Sequence, residues 1–107
     1  MEKKNETSAL TEAVYYILLT LLKPLHGYGI MQETEQLSGG RLHLSAGTLY
    51  GALSSLLERQ WITALDGDPD SRKKEYQITP RGREVLTAEF LRLQELVANG
   101  TRLLENV

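Results

Sequence analysis

The sequence predicts a mainly α-helical fold with a small β-hairpin, finished by a long C-terminal helix. Apolar residues return at helical spacing in several stretches, and two β-rich runs, Trp61 to Leu65 and Lys74 to Ile78, flank the polar turn Asp66-Gly67-Asp68-Pro69-Asp70-Ser71. Thr79-Pro80 then starts a new helix, a capping hydroxyl followed by proline at the first helical position. The order helix, helix, short strand, helix, hairpin, long helix is read most economically as a winged helix-turn-helix plus a C-terminal dimerisation helix. On that reading residues 8–79 form the winged helix-turn-helix domain and residues 80–106 the dimerisation helix, with residues 8–22 contributing to its interface.

The first helix is predicted from about Thr7 or Ser8 to Leu22. Leu10, Ala13, Val14, Ile17, Leu18 and Leu21 give it a wide apolar face, and Pro24 stops it. His26-Gly27 makes the corner. A second helix follows from about Tyr28 to Leu37, with Ile30, Thr34 and Leu37 inward and Gln32, Glu33, Glu35 and Gln36 outward. Ser38-Gly39-Gly40 ends it, with a glycine available for the left-handed terminal position. Arg41-Leu42-His43-Leu44 alternates polar and apolar residues and predicts a short strand. Ser45 caps the third helix, which closes near Arg59-Gln60. Trp61, Tyr76 and Ile78 anchor the hairpin to the core. In the last helix Leu86, Phe90, Leu93, Val97, Gly100 and Leu104 are spaced 4-3-4-3-4, as in a coiled coil, although Asn99-Gly100 offers a place for the helix to break.

Bulk properties narrow the class. The chain has 107 residues, 41% of them hydrophobic, which suits a single domain with a modest core. No apolar run reaches the roughly 18–20 residues of a membrane span, and the N-terminus lacks the layout of a signal peptide, so a cytoplasmic protein with no membrane partner is expected. With no cysteine there is no disulfide, thiolate metal site or thiol nucleophile. Net charge is −2, yet residues 41–83 carry seven positive and five negative side chains, leaving a mildly basic middle between acidic ends.

The stretch from Ser45 to Leu57 is the most informative. Leu49, Ala52, Leu53 and Leu56 form a buried helical stripe, while Gly47, Thr48, Gly51, Ser54 and Ser55 occupy the opposite side. An ordinary solvated face would use Lys, Glu and Gln, which favour the helix more. Small residues weaken the helix but admit something large, and double-stranded DNA is the expected partner. Ser45, Gly47, Thr48 and Ser54 are assigned to the major groove, with Tyr50 on the flank, able to bond a phosphate or to pack half-buried. Arg72, Lys73 and Lys74 follow the acidic hairpin tip and are assigned to phosphates. None of the helix residues makes the bidentate arginine–guanine contact, so half-site spacing and DNA shape are expected to supply much of the specificity.

Three motifs together carry a resemblance. His26-Gly-Tyr-Gly-Ile30, Ser45-Ala-Gly-Thr-Leu-Tyr-Gly-Ala-Leu53 and Arg72-Lys-Lys-Glu-Tyr-Gln-Ile-Thr-Pro-Arg-Gly-Arg83 resemble the PadR transcriptional regulators, in order and spacing, over about residues 8 to 100. The short final helix resembles the subfamily that ends in one dimerisation helix. The resemblance implies a homodimeric winged-helix repressor, often released from DNA by a small molecule. Gly51 stands where the family usually has proline, and Leu93 where some multidrug-sensing members carry a tryptophan that stacks on flat drugs.

The remaining assignments concern contacts other than DNA. Leu10, Val14 and Ile17 of the first helix and Leu86, Phe90, Leu93, Val97 and Leu104 of the last are assigned to dimerisation; Val85, Leu91, Leu96 and Leu103 add apolar surface beyond one stripe. Tyr15 and Tyr16 are adjacent, so both cannot face the core; with Leu93 they define either a pocket for a small hydrophobic or aromatic effector or part of the dimer interface. Asp66, Asp68 and Asp70 imitate a calcium loop, but Ser71 and Gln77 replace its glycine and terminal glutamate, and His26 and His43 lack a third ligand. No metal, cofactor or enzymatic activity is expected. The rival reading is a winged-helix module that binds a protein through the same helix face.

Overall fold

The structure, a computed structural model, describes residues 9–65 and 74–106. Four helices and three strands follow one another as α1 (Glu12–Thr20), β1 (Leu25–His26), α2 (Gly27–Leu37), α3 (Ala46–Glu58), β2 (Ile62–Leu65), β3 (Glu75–Ile78) and α4 (Pro80–Leu104). The predicted fold class holds, with three differences of detail.

The first difference is where α1 begins. Thr11 has an extended backbone and its hydroxyl accepts the Val14 N–H, so the helix starts at Glu12. Leu10 precedes the helix, because its own N–H is engaged by the Glu89 carboxylate on α4. At the other end Leu21 caps the helix, short of the expected Leu22.

The second is the short strand. Residues 41–44 form none. Leu25–His26 instead pairs antiparallel with β3, Leu25 opposite Tyr76 and His26 opposite Glu75, giving the sheet order β1-β3-β2. Both edges of β3 are thereby filled. The 41–44 segment is tied down by side chains: Arg41 pairs with Glu12, His43 with Glu35 at 3.3 Å, and the Leu42 N–H donates to the Ser38 hydroxyl.

The third lies in α2, where Leu37, expected inward, is exposed. Ser38 takes the buried place beside Thr34, its hydroxyl donating to the Glu35 carbonyl while accepting from Leu42. Gly39 and Gly40 follow with positive φ, as the sequence predicts. His26 opens α2 one residue early, its Nδ1 accepting the Gly29 N–H at 3.1 Å.

The core joins every helix to the wing. Ile17, Leu18 and Leu21 of α1 and its end meet Ile30, then Leu49, Leu53 and Leu56 of α3, with Trp61, Ile62, Tyr76 and Ile78 of the hairpin completing it. The α3 stripe is thus buried as expected. β2 and β3 pair with Ile62 opposite Ile78 and Ala64 opposite Tyr76, and the hairpin tip, with Asp66, Asp68, Asp70, Arg72 and Lys73, lies outside the described residues. α3 ends at Glu58 with Arg59 as its cap, and Gln60 beyond it takes φ +65 while the Trp61 N–H reaches the Leu56 carbonyl. That left-handed terminus turns the chain sharply into the wing.

Thr79 fastens α4 to this junction. Its hydroxyl accepts the Gly82 N–H at 3.0 Å and donates to the Gln60 carbonyl at 2.7 Å. Gly82 then rests on the Trp61 backbone: a Cβ there would lie 2.9 Å from the Trp61 carbonyl carbon. Val85, Leu86 and Glu89 are buried, after which the helix leaves the domain and runs unbroken through Asn99-Gly100.

Candidate nucleic-acid interface

α3 is held from its core side and open on the other. Ser45 has an extended backbone and its hydroxyl accepts the Thr48 N–H at 3.2 Å, which satisfies one first-turn amide. The same hydroxyl donates to Thr48 Oγ1 at 3.1 Å, so the two side chains are oriented together at the helix start. Ser45, Gly47, Thr48, Gly51 and Ser54 are all exposed. A Cβ built on Gly47 or Gly51 would meet nothing within 4 Å. The helix therefore presents a smooth, hydroxyl-bearing ridge with room for a large surface to come down on its backbone.

Of the two roles the sequence left open for Tyr50, the structure gives a contact for packing. The residue is half exposed, but its ring lies over the start of α2, where a Cβ on Gly27 would stand 2.9 Å from Tyr50 Cζ. Glycine at 27 is what lets the ring pass. Beneath it, burial pushes the Tyr76 phenol above its ordinary pKa, and the proximity of Tyr50 adds to this.

Of the assigned wing cations, Lys74 is described and exposed; Arg72 and Lys73 lie outside the described residues. Tyr28, which sequence reasoning passed over, is exposed immediately after Gly27 and so stands beside the Tyr50 contact. Its signal was an aromatic flanked by two glycines at a helix start. His26 and His43 have defined structural partners, and among the described residues no group of three His, Cys, Asp or Glu side chains could hold a metal ion.

The assigned dimerisation residues divide into two sets. Ile17 and Leu86 are in the core of their own chain, as is Val85, and Leu10 and Val14 are partly buried against it. A fully buried side chain has no surface to offer a partner. Phe90, Val97 and Leu104 are exposed, with Leu91, Leu96 and Leu103 nearby on the projecting half of α4. Tyr15, Phe90, Leu93 and Val97 line an open, mostly apolar groove of about 430 Å³ between α1 and α4. Tyr15 and Tyr16 have ring centroids 6.2 Å apart, and only Tyr15 of the two lines this groove.

Residues 16–88 match the transcriptional regulator PadR-like family, well over half of the chain. The chain belongs to this family. A transcriptional regulator from Clostridium thermocellum has a similar structure, with 27% identity, 83% of this chain and 92% of that chain covered, and a TM-score of 0.65. A PadR family transcriptional regulator from Eggerthella lenta shares the fold at 24% identity and a TM-score of 0.69, over 88% of this chain and 82% of that one. In sequence, the PadR-like chain is 44% identical over 66 residues to an uncharacterized 37.1 kDa protein in transposon TN4556 of Streptomyces fradiae. That match takes in 62% of this chain but spans only 18% of the relative's length. No described helix is long and apolar enough to cross a membrane.

Proposed function

We propose that this PadR-like chain is a cytoplasmic, homodimeric repressor that binds double-stranded operator DNA through α3. The observation that carries this reading is the face of α3 itself. It pairs a fully buried leucine stripe with an exposed ridge of Gly47, Thr48, Gly51 and Ser54. A helix gains nothing in stability from two such glycines, since each costs about 0.8–1 kcal/mol relative to alanine. Close approach to a groove gives them a purpose. Residues 8–79 form the DNA-binding unit; Ser45, Gly47, Thr48 and Ser54 enter the major groove, and Tyr50 lies on its flank. Arg72, Lys73 and Lys74 of the wing neutralise phosphates.

The dimer forms through residues 80–106. Phe90, Leu93, Val97 and Leu104 meet the same surface of a second copy, with Leu10 and Val14 at the edge. The two α3 helices then read half-sites about 34 Å apart. A small hydrophobic or aromatic effector that relieves repression would sit in the groove beside Tyr15 and Leu93, with the neighbouring Tyr16 outside its lining.

The test is a gel shift on the duplex upstream of the protein's own gene, across a salt series. Affinity should fall linearly in log–log form as salt rises. Absence of salt-dependent binding to any duplex would favour a protein-interaction module instead.

A further inference from the structure

Glu89 is the last buried residue of α4: from Phe90 to Leu104 every side chain is exposed or only partly buried. Its carboxylate is clamped from two sides. Arg92 donates from Nε to Oε1 and from Nη2 to Oε2, each at 2.8 Å, and the Leu10 amide donates to Oε2 at 3.1 Å. Leu10 precedes Thr11, the cap of α1, so the clamp binds the start of α1 to the point where α4 leaves the domain. Past it, the side of α4 that faces α1 borders the open groove lined by Tyr15, Leu93 and Val97.

We propose that Glu89 is a positioning residue that fixes the direction in which α4 leaves the domain and, in the dimer, the separation of the two α3 helices. Three hydrogen bonds to one carboxylate set direction as well as distance, because each weakens steeply as its angle departs from linear. An apolar side chain at 89 would bury at less desolvation cost than an ionised one. Apolar contacts are non-directional, however, and let a helix tilt or slide. The acid therefore contributes geometry that packing would not.

The length of α4 beyond the clamp amplifies that geometry. From Glu89 to Leu104 the helix projects about 22 Å, so a change of about 10° at the clamp would carry its end about 4 Å. If the projecting halves of two chains are packed together, the same change moves each domain, and its α3, relative to the other. The separation of the α3 helices rests on the dimer proposed above; the exit direction is a property of one chain and is tested within one chain, without DNA.

The chain has no cysteine, so Gln36→Cys on α2 and Arg102→Cys on the far half of α4, both at exposed positions, supply two sites for spin labels. Labelled full chain is diluted into excess unlabelled chain, and pulsed electron–electron resonance reads the distance within one chain. A single narrow distribution is expected, broadened by about 3 Å or more in Glu89→Gln and in Arg92→Gln. Leu53→Ala, which loosens the core of α3 without touching the clamp, should keep the narrow distribution. An unchanged width in both clamp variants, or equal broadening in Leu53→Ala, would overturn the proposal. A single label at Gln36→Cys, undiluted, then reads the distance between protomers, which should broaden in the same two variants; a distance that stays narrow overturns the effect on α3 separation. No distance between protomers with Glu89 intact would remove the dimer and that effect with it, while the distance within one chain would still decide the exit direction.

Discussion

The Leu10 amide donates to the Glu89 carboxylate at 3.1 Å, so the chain just before α1 is bonded to the last buried position of α4. Arg92, one turn along, completes the pairing with two 2.8 Å hydrogen bonds to the same carboxylate. A buried acid thus joins the first helix to the helix that projects from the domain.

That junction predicts a stability effect with a definite pH dependence. The Arg92 hydrogen bonds hold the Glu89 carboxyl below its ordinary pKa, and the Leu10 amide helps, against the opposing effect of burial. Because the folded pKa lies below the unfolded one, the stabilisation is complete above about pH 4.3 and is lost as pH falls through the folded value. Glu89→Ala should cost about 1.5–3 kcal/mol at pH 7. Urea melts of both proteins should converge as the pH is lowered below about 4.3; a difference that persists in acid would show that the carboxylate charge is not the cause.

Two glycine substitutions should have opposite signs. Gly82→Ala forces a methyl against the Trp61 backbone, which cannot swing aside, and should destabilise by about 1–3 kcal/mol. Gly51→Ala meets open space and should stabilise by about 0.8–1 kcal/mol through helix propensity. Denaturant midpoints at constant m-value measure both.

On the α3 ridge, Ser54→Glu should leave unfolding unchanged within about 0.5 kcal/mol, since the side chain is exposed, while lowering duplex affinity at least ten-fold. Lys74→Ala should weaken every duplex alike and reduce the salt slope by about 0.9. An unchanged slope would take Lys74 out of the interface.

For the dimer, Val97 is 67% exposed in the single chain, so Val97→Asp should fold normally and sediment as a monomer. Retained dimerisation by Val97→Asp would move the interface elsewhere. Ile17→Ala, by contrast, opens a fully buried site and should cost about 2–5 kcal/mol of folding stability whatever the oligomeric state.

The elements most legible in the sequence are those with a local cause. Ser45 and Thr79 cap their helices because a hydroxyl needs only an amide three residues on, and the leucines of α3 are buried because their spacing leaves no other face for the core. The Gly47–Ser54 ridge was equally readable, since what identifies it is the residue types themselves. Pairings across the chain were not readable. Residues 41–44 alternate like a strand, yet β3 took Leu25–His26 as its second neighbour, because backbone N–H and C=O groups are alike in every residue and only the packing of α1 and α2 decides which segment reaches the free edge.

By itself, then, the sequence determined the four helices, the Ser45 and Thr79 caps, the pairing of β2 with β3 and the bare face of α3, all consequences of interactions within a short stretch of chain. Tertiary structure alone decided which apolar residues of α1 and α4 serve their own core. Ile17 and Leu86 share the same periodic stripes as Val14 and Phe90 but are sealed within the core of their own chain, whereas Phe90 and the apolar residues beyond it are largely exposed. Periodicity marks a face as apolar; only the packed fold says how far along the helix that face is already filled.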